Sequence, residues 1–400
     1  MTLTLTNYRC FSSASFEIPD TDFIILDKNG SGKTSILSAL YSIYTGKPLP
    51  NTKFLEYLQS GQDYFGISTD DNNWFINGKI SPSGRLATKY SNPSEIKDTV
   101  LTYQPSDNYW LQQSRSSKLS TLDQIIGQTN KDYLTQIANL DRVCKNKLSL
   151  LKESNISGIT DIIMVNFLGQ QILDLSKQIW SKRWVFLNNI KEQIEHFSSM
   201  IQSPIIDWQI QMEITGANGN KINIQNLSKF NRQFGGLNSP SLEDSRYSWT
   251  CSSDTVVRGV ARSDGVVFLA NKTRIDEAKI FELQNLDNIN FEQLWQRELA
   301  CEKVLFGANR DDFNIIHGKL KIEQVLSRGE IRLFVLWVKK LGINPKQTIW
   351  LLDDIFNELD DEREHFLMSN IFNGCKQIIT TGTRCSLKSL EQRSVESLRF

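Results

Sequence analysis

Hydrophobic and polar positions change rhythm several times along the 400 residues. Leu3 to Leu5 and Ala14 to Ile18 alternate apolar and polar residues. This period of two predicts two strands joined by a turn around Asn7, Tyr8 and Arg9. Phe23-Ile24-Ile25-Leu26 is an unbroken apolar run with β-branched residues and predicts a third strand. A glycine-rich turn breaks it, and Ile36 to Ile43 continues with helix-forming residues. From about Phe54 to Val100, short strand-like runs alternate with turn signals, which predicts a β-rich sub-lobe. Near Leu119 the spacing becomes helical. Leu122, Tyr133, Ile137, Leu140, Val143 and Leu148 recur on one face, with Asp141, Arg142 and Lys145 between them. Helical patterning resumes from Ile162 to about Met200, so two or three helices between 120 and 200 form a lobe of their own. Residues 203–271 read as β-rich and irregular, with a Ser-heavy segment over 239–253. Helical character returns near Phe291 to Leu299. An amphipathic helix over Ile331 to Lys340, a buried strand over Thr348 to Leu352 and a last strand over Gln377 to Thr381 complete the pattern.

Two of these segments carry chemistry. The first strand-to-helix junction reads Asp27-Lys28-Asn29-Gly30-Ser31-Gly32-Lys33-Thr34. Strand, glycine loop and helix in that order make a cradle for phosphate, because backbone N–H groups and the helix N-terminus point at the anion. Lys33 then reaches the terminal phosphates and the Thr34 hydroxyl ligates Mg²⁺. Asp27 stands where the pattern has its first glycine; Asp enters left-handed backbone more readily than most residues. An ordinary glycine turn before a helix is the competing reading. The second segment is the strand Thr348 to Leu352, which runs into Asp353-Asp354. Asp353 suits Mg²⁺, and Asp354 suits polarisation of an attacking water. An acidic turn leaving the core is the alternative, and it weakens once Lys33 and Thr34 supply the other half of a nucleotide site. Upstream, Ser327-Arg328-Gly329-Glu330 opens a helix. Ser327 and Glu330 have capping-box spacing, and the same turn offers a hydroxyl and N–H groups to a phosphate.

The phosphate loop lies near one end of the chain and the acidic strand near the other. The N- and C-terminal thirds must therefore fold together, with the middle inserted. Composition narrows the rest. Hydrophobic residues are 40% and charged residues 22%, so a core can be buried. Lys+Arg and Asp+Glu are both 45 and the formal net charge is zero, so a nucleic-acid site has to be a local patch. The six cysteines are scattered and there are three histidines, which argues against zinc and fits a reducing cytoplasm. No window approaches 18 uninterrupted apolar residues, and the N-terminus lacks a signal peptide's apolar core. Arg115, Lys118, Lys182 and Arg183 are candidate DNA phosphate contacts. Trp180 and Trp184 read as core.

Several motifs together resemble the RecF family of recombination-repair ATPases, which is related to ABC and SMC heads. Leu5-Thr6-Asn7-Tyr8-Arg9 looks like the family's opening motif. Asn29 to Thr34 is like its Walker A loop, and Gln104-Pro105 with Leu119 to Asp123 and Tyr133-Leu134 is similar to its next run. Gly307-Ala308-Asn309-Arg310-Asp311-Asp312 resembles its Gly-Pro-His-Arg-Asp-Asp hallmark, with Ala308-Asn309 in place of Pro-His. Leu326 to Glu330 resembles its signature. Leu351 to Asp360, including Glu358, Leu359 and Asp360, resembles its Walker B and D-loop.

The resemblance implies an α/β fold with an ABC-type ATPase head built from residues 1–118 and 285–400 and carrying the β-rich sub-lobe. An arm domain, 119–284, is inserted, helical over 119–200 and mixed over 201–284. It implies ATP and Mg²⁺ held by the Walker loop with Arg9 and Gln104, and slow hydrolysis at Lys33, Asp353 and Asp354. The signature turn would act in trans within an ATP-dependent homodimer. The implied partners are double-stranded DNA near single-strand gaps, RecR and RecO, in a bacterial cytoplasm at the nucleoid. A catalytically weakened nucleotide-binding DNA module, or another SMC-like DNA-repair ATPase, is the alternative.

Overall fold

A computed structural model describes residues 1–70, 74–91, 98–201, 208–215, 221–224, 291–356, 359–382 and 396–399. In chain order the strands and helices begin with β1 (Thr2–Tyr8), β2 (Phe11–Glu17), β3 (Phe23–Leu26), α1 (Lys33–Thr45), β4 (Tyr64–Thr69), β5 (Phe75–Ile80), β6 (Leu86–Tyr90) and β7 (Thr99–Tyr103). They continue with α2 (Arg115–Thr129), α3 (Lys131–Ser157), α4 (Ile162–Met200), β8 (Trp208–Thr215), β9 (Lys221–Ile224) and α5 (Phe291–Cys301). The last are β10 (Asp312–His317), β11 (Leu320–Lys321), α6 (Arg328–Lys340), β12 (Thr348–Leu352), α7 (Asp361–Phe366), β13 (Gln377–Gly382) and β14 (Glu396–Arg399). No helix among the described residues is long and apolar enough to cross a membrane.

The chain divides into two compact units, residues 1–108 with 335–400, and residues 109–334. In the first unit a parallel sheet runs β14-β3-β13-β12-β7, so strands from both chain ends interleave. β3, β12 and β13 are buried at every position, which is why they read as apolar runs rather than alternations. A second, antiparallel sheet runs β2-β1-β4-β5-β6. Its alternation turns Leu3, Leu5, Phe65, Ile67 and Ile76 inward to a core shared with Ile36, Leu37, Leu40 and Ile43 of α1. Each such side chain contributes about 1.5–3 kcal/mol of burial. Tyr8 and Tyr57 fasten this sheet to α1, through Ser38 at 2.7 Å and Ser42 at 3.0 Å. Gly46 ends α1 in left-handed backbone, its N–H bonded to the Ser42 carbonyl. Buried Lys339 donates to Asp107 at 2.6 Å and to the Thr102 carbonyl at 2.8 Å, which ties the end of α6 to the end of β7.

The second unit carries α2, α3 and α4, capped by Ser114, Asn130 and Asp161. A four-stranded sheet runs β11-β10-β8-β9. Trp180 and Trp184 are buried core residues here. The sequence reading drew the domain boundaries at 118/119 and 284/285, whereas the compact units meet at 108/109 and 334/335. The difference comes from pairing that is remote in sequence. β10 pairs with β8 from Asp312↔Glu213 to His317↔Trp208, and Phe291 of α5 packs on Gly169 of α4. The irregular stretch expected over 203–271 lies outside the described residues, apart from β8 and β9.

Candidate nucleotide-binding site

The site grows from the end of β3. Gly30 and Gly32 supply the loop's left-handed turns, with φ of 83° and 107°. Asp27 is not left-handed, so the backbone argument for an acid there does not apply. Its carboxylate instead accepts the Lys28 N–H at 2.6 Å. The Lys33 ammonium donates to the carbonyls of Asp27, at 2.7 Å, and Lys28, at 2.8 Å, so the loop is wrapped around it. Asn29 is exposed at the loop's crest, and the Ser31 hydroxyl is buried without a partner. A Cβ at Gly32 would stand 2.5 Å from the Phe11 ring and 2.7 Å from Cys10 Sγ. The β1–β2 turn is thus pressed against the loop, and Arg9 sits in that turn with its guanidinium 5.0 Å from the Tyr57 ring centre.

β13 places β12 in register, and β12 delivers Asp353. The Thr34 hydroxyl donates to both Asp353 carboxylate oxygens, at 3.1 and 2.9 Å, joining residues 319 positions apart. Thr381, at the end of β13, donates to Asp353 Oδ1 at 2.7 Å and accepts the Asp354 N–H at 2.9 Å. Burial pushes the Asp353 carboxyl above its ordinary range, and the Thr381 and Thr34 hydroxyls oppose that shift. Asp354 has φ of 49°, and its Oδ1 is buried without a partner. A left-handed acid with an unsatisfied oxygen is a strained arrangement of the kind found at functional sites. The Asp353 N–H donates to the Tyr103 carbonyl at 2.9 Å, so Gln104 begins where this strand end meets β7. The donor set of one carboxylate and one hydroxyl in contact, beside an unsatisfied carboxylate oxygen, fits a hard divalent cation such as Mg²⁺.

The last strand predicted from the sequence ends at Thr381, with no role given to that residue. Its signal was a Thr-Thr pair closing an apolar run, and only strand pairing puts it on Asp353. Leu359 and Asp360 are described and Glu358 is not. The Asp360 carboxylate caps α7, accepting the Arg363 N–H at 2.8 Å.

The remaining candidates belong to the second unit. Ser327 and Glu330 bond reciprocally, at 2.7 and 3.3 Å, confirming a capping box at the start of α6. Ser327 and Arg328 are exposed there, and Gly329 is half-buried. Arg310 is turned onto the Val304 carbonyl at 2.8 Å. Asp311 is fully buried and bonds Arg183 at 2.7 Å. Asp312 pairs with Lys118 at 2.6 Å. These contacts correct two expected DNA contacts. Arg183 is 2% exposed, held by Asp123, Asp311 and the Ala308 carbonyl. Lys118 is 4% exposed and also donates to the Phe313 carbonyl. Their charges are spent on neighbouring carboxylates, so neither presents to DNA. Arg115 and Lys182 are half-buried.

No protein-family profile matches the chain. Relatives cover almost all of it. The DNA replication and repair protein RecF of Acholeplasma laidlawii is 23% identical over 393 residues, 94% of this chain and 91% of the relative. That of Staphylococcus carnosus is 24% identical over 400 residues, 95% and 92% of the two chains. Among solved structures, the recombination mediator protein RecF in a RecF-ATPrS structure aligns over 100% of this chain and 95% of its own, with a TM-score of 0.65 at 17% identity. A RecF-ATP structure gives a TM-score of 0.66 at 18% identity, covering 97% and 94%. The fold is therefore mixed α/β and consistent with an ABC-type ATPase head, as the resemblance implied.

Proposed function

We propose that the chain is a member of the RecF family and, on that premise, an ATP-dependent DNA-binding clamp of replication and recombinational repair. The observation that carries this reading is the contact of Thr34 with Asp353, which assembles both halves of a nucleotide site from opposite ends of the chain. Loop N–H groups and Lys33 hold the phosphates, with Arg9 and Gln104 at the rim. Thr34 and Asp353 hold Mg²⁺, which neutralises charge on the terminal phosphates. Asp354 orients the attacking water. Asp is one methylene shorter than Glu, which suits slow turnover. The Ser327-Arg328-Gly329-Glu330 turn of a second copy, with Leu359 and Asp360 of the D-loop, completes each site. ATP then closes a homodimer on duplex DNA near single-strand gaps, hydrolysis reopens it, and the clamp helps RecO and RecR load recombinase in the bacterial cytoplasm. Relatives named for DNA replication and repair, and RecF structures of the RecFOR pathway, support this reading.

The test is the molecular mass in solution with ATP, with ADP and without nucleotide, for the wild type, Lys33→Ala and Ser327→Arg. The expected result is a dimer with ATP alone, absent in both variants. A monomer in every condition overturns the clamp and favours a nucleotide-binding module without it.

A further inference from the structure

With Lys118 and Arg183 consumed inside the second unit, cations without partners stand on the outer face of the antiparallel sheet in the first unit. Strand register lines up one row across four strands: Thr6 opposite Gly66, Gly66 opposite Asn77, and Asn77 opposite Lys89. Lys79 stands two residues along β5 from Asn77, on the same face and opposite Tyr64. Neighbouring strands are about 4.8 Å apart, so the row spans roughly 14 Å. It floors a groove of about 690 Å³ that no Asp or Glu lines among the described residues. Gly66 keeps the floor low, since a Cβ there would stand 3.0 Å from Asn77 Oδ1. Lys79 and Lys89 are exposed, and their side chains make no ion pair or hydrogen bond among the described residues.

We infer that this groove binds the phosphodiester backbone of a nucleic acid. The inference rests on the DNA-binding reading above and adds a surface to it. Two unpaired ammonium groups, a hydroxyl, an amide and the Tyr64 phenol over bare backbone are the donor set that takes phosphates. Protein docking patches are instead depleted of lysine at their centre. The opposite face of the same strands is packed against α1, so the groove sits on a rigid floor.

The test is fluorescence anisotropy with labelled duplex DNA and a single strand of equal length, across a salt series, using the full chain with ATP. Nucleotide binding is measured in parallel. In Lys79→Ala/Lys89→Ala the affinity falls at least about fivefold at low salt, and the slope of log K against log salt shrinks by about two. Gly66→Val suits a strand and fills the floor, so it weakens DNA binding with the unfolding midpoint and nucleotide affinity unchanged. Whichever nucleic acid loses more affinity in the variants is the groove's occupant. DNA binding equal to wild type in both variants overturns the inference, leaving the face to a protein or to solvent. A wild type that binds nucleotide but neither nucleic acid also overturns it without touching the nucleotide site. A wild type that binds no nucleotide, with DNA binding still lost in the variants, overturns the ATPase reading alone.

Discussion

The hydroxyl of Thr381 does two jobs at once. It donates to Asp353 and accepts from the backbone of Asp354, whose φ of 49° needs an anchor. Its proton must go to Asp353, because the Asp354 N–H occupies it as an acceptor. Thr381→Val keeps the shape and removes both bonds. A hydrogen bond to a charged group contributes about 1.5–3 kcal/mol, equivalent to roughly ten- to a hundredfold. The expected outcome is a loss of that size in nucleotide affinity with Mg²⁺, little change in EDTA, and rescue by Thr381→Ser. A fluorescent nucleotide titrated in both buffers measures it; an equal loss in EDTA would mean a merely structural role. The glycine loop and Asp353 are legible in the sequence because each is local, a strand running into a turn of characteristic residues. Thr381 is not, because its partner is 28 positions away on a neighbouring strand.

At the scale of elements, α2, α4 and the Arg310-Asp311-Asp312 segment are locked by one buried network. Arg183 bonds Asp123 at 2.8 Å and Asp311 at 2.7 Å. Burial, with Asp123 nearby, pushes Asp311 up to about 7 against the pull of Arg183. Removing the cation strands two carboxylates, which costs about 3–5 kcal/mol. Arg183→Leu is therefore expected to lower the unfolding free energy read from urea curves by that much, and the midpoint with it. A DNA contact would lose DNA affinity and leave the midpoint alone. The helices were legible from their periodicity. The role of Arg183 was not, since a lone cation on a helix is usually solvated and its carboxylates lie 60 and 128 positions away. The last turn of α6 gives a pH test. Burial pushes Lys340 down to about 8 from the usual 10.5. Between those values the unfolded chain holds a proton that the folded chain has released, so stability rises as pH climbs from about 8 to 10.5. The rise is at most about 3 kcal/mol. Lys340→Met should remove it, read from unfolding curves across that window; an unchanged slope would mean Lys340 keeps its proton.

At the scale of the whole molecule, the first unit is assembled from both chain ends, and three of the five strands of its parallel sheet, β12, β13 and β14, come after residue 334. This discontinuity was legible, because a phosphate loop and its acidic partner cannot act 319 residues apart unless the ends meet. The boundaries were not, because strand pairing between β8 and β10 leaves no local trace. The consequence is thermodynamic. A ligand that binds only the assembled site stabilises the fold by RT ln(1 + [L]/Kd), about 2.7 kcal/mol at a hundredfold excess over Kd. MgATP at that excess should raise the unfolding free energy of the first unit by this amount in the wild type. Lys33→Ala should show none of the gain, since the proposed site gives its ammonium the terminal phosphates. Asp353→Asn should lose the Mg²⁺-dependent part and keep the rest. Calorimetric scans with MgATP, with ATP in EDTA and without nucleotide separate the three. Equal gains in the wild type and Lys33→Ala would place the nucleotide elsewhere and break the link between the two chain ends on which the functional reading stands.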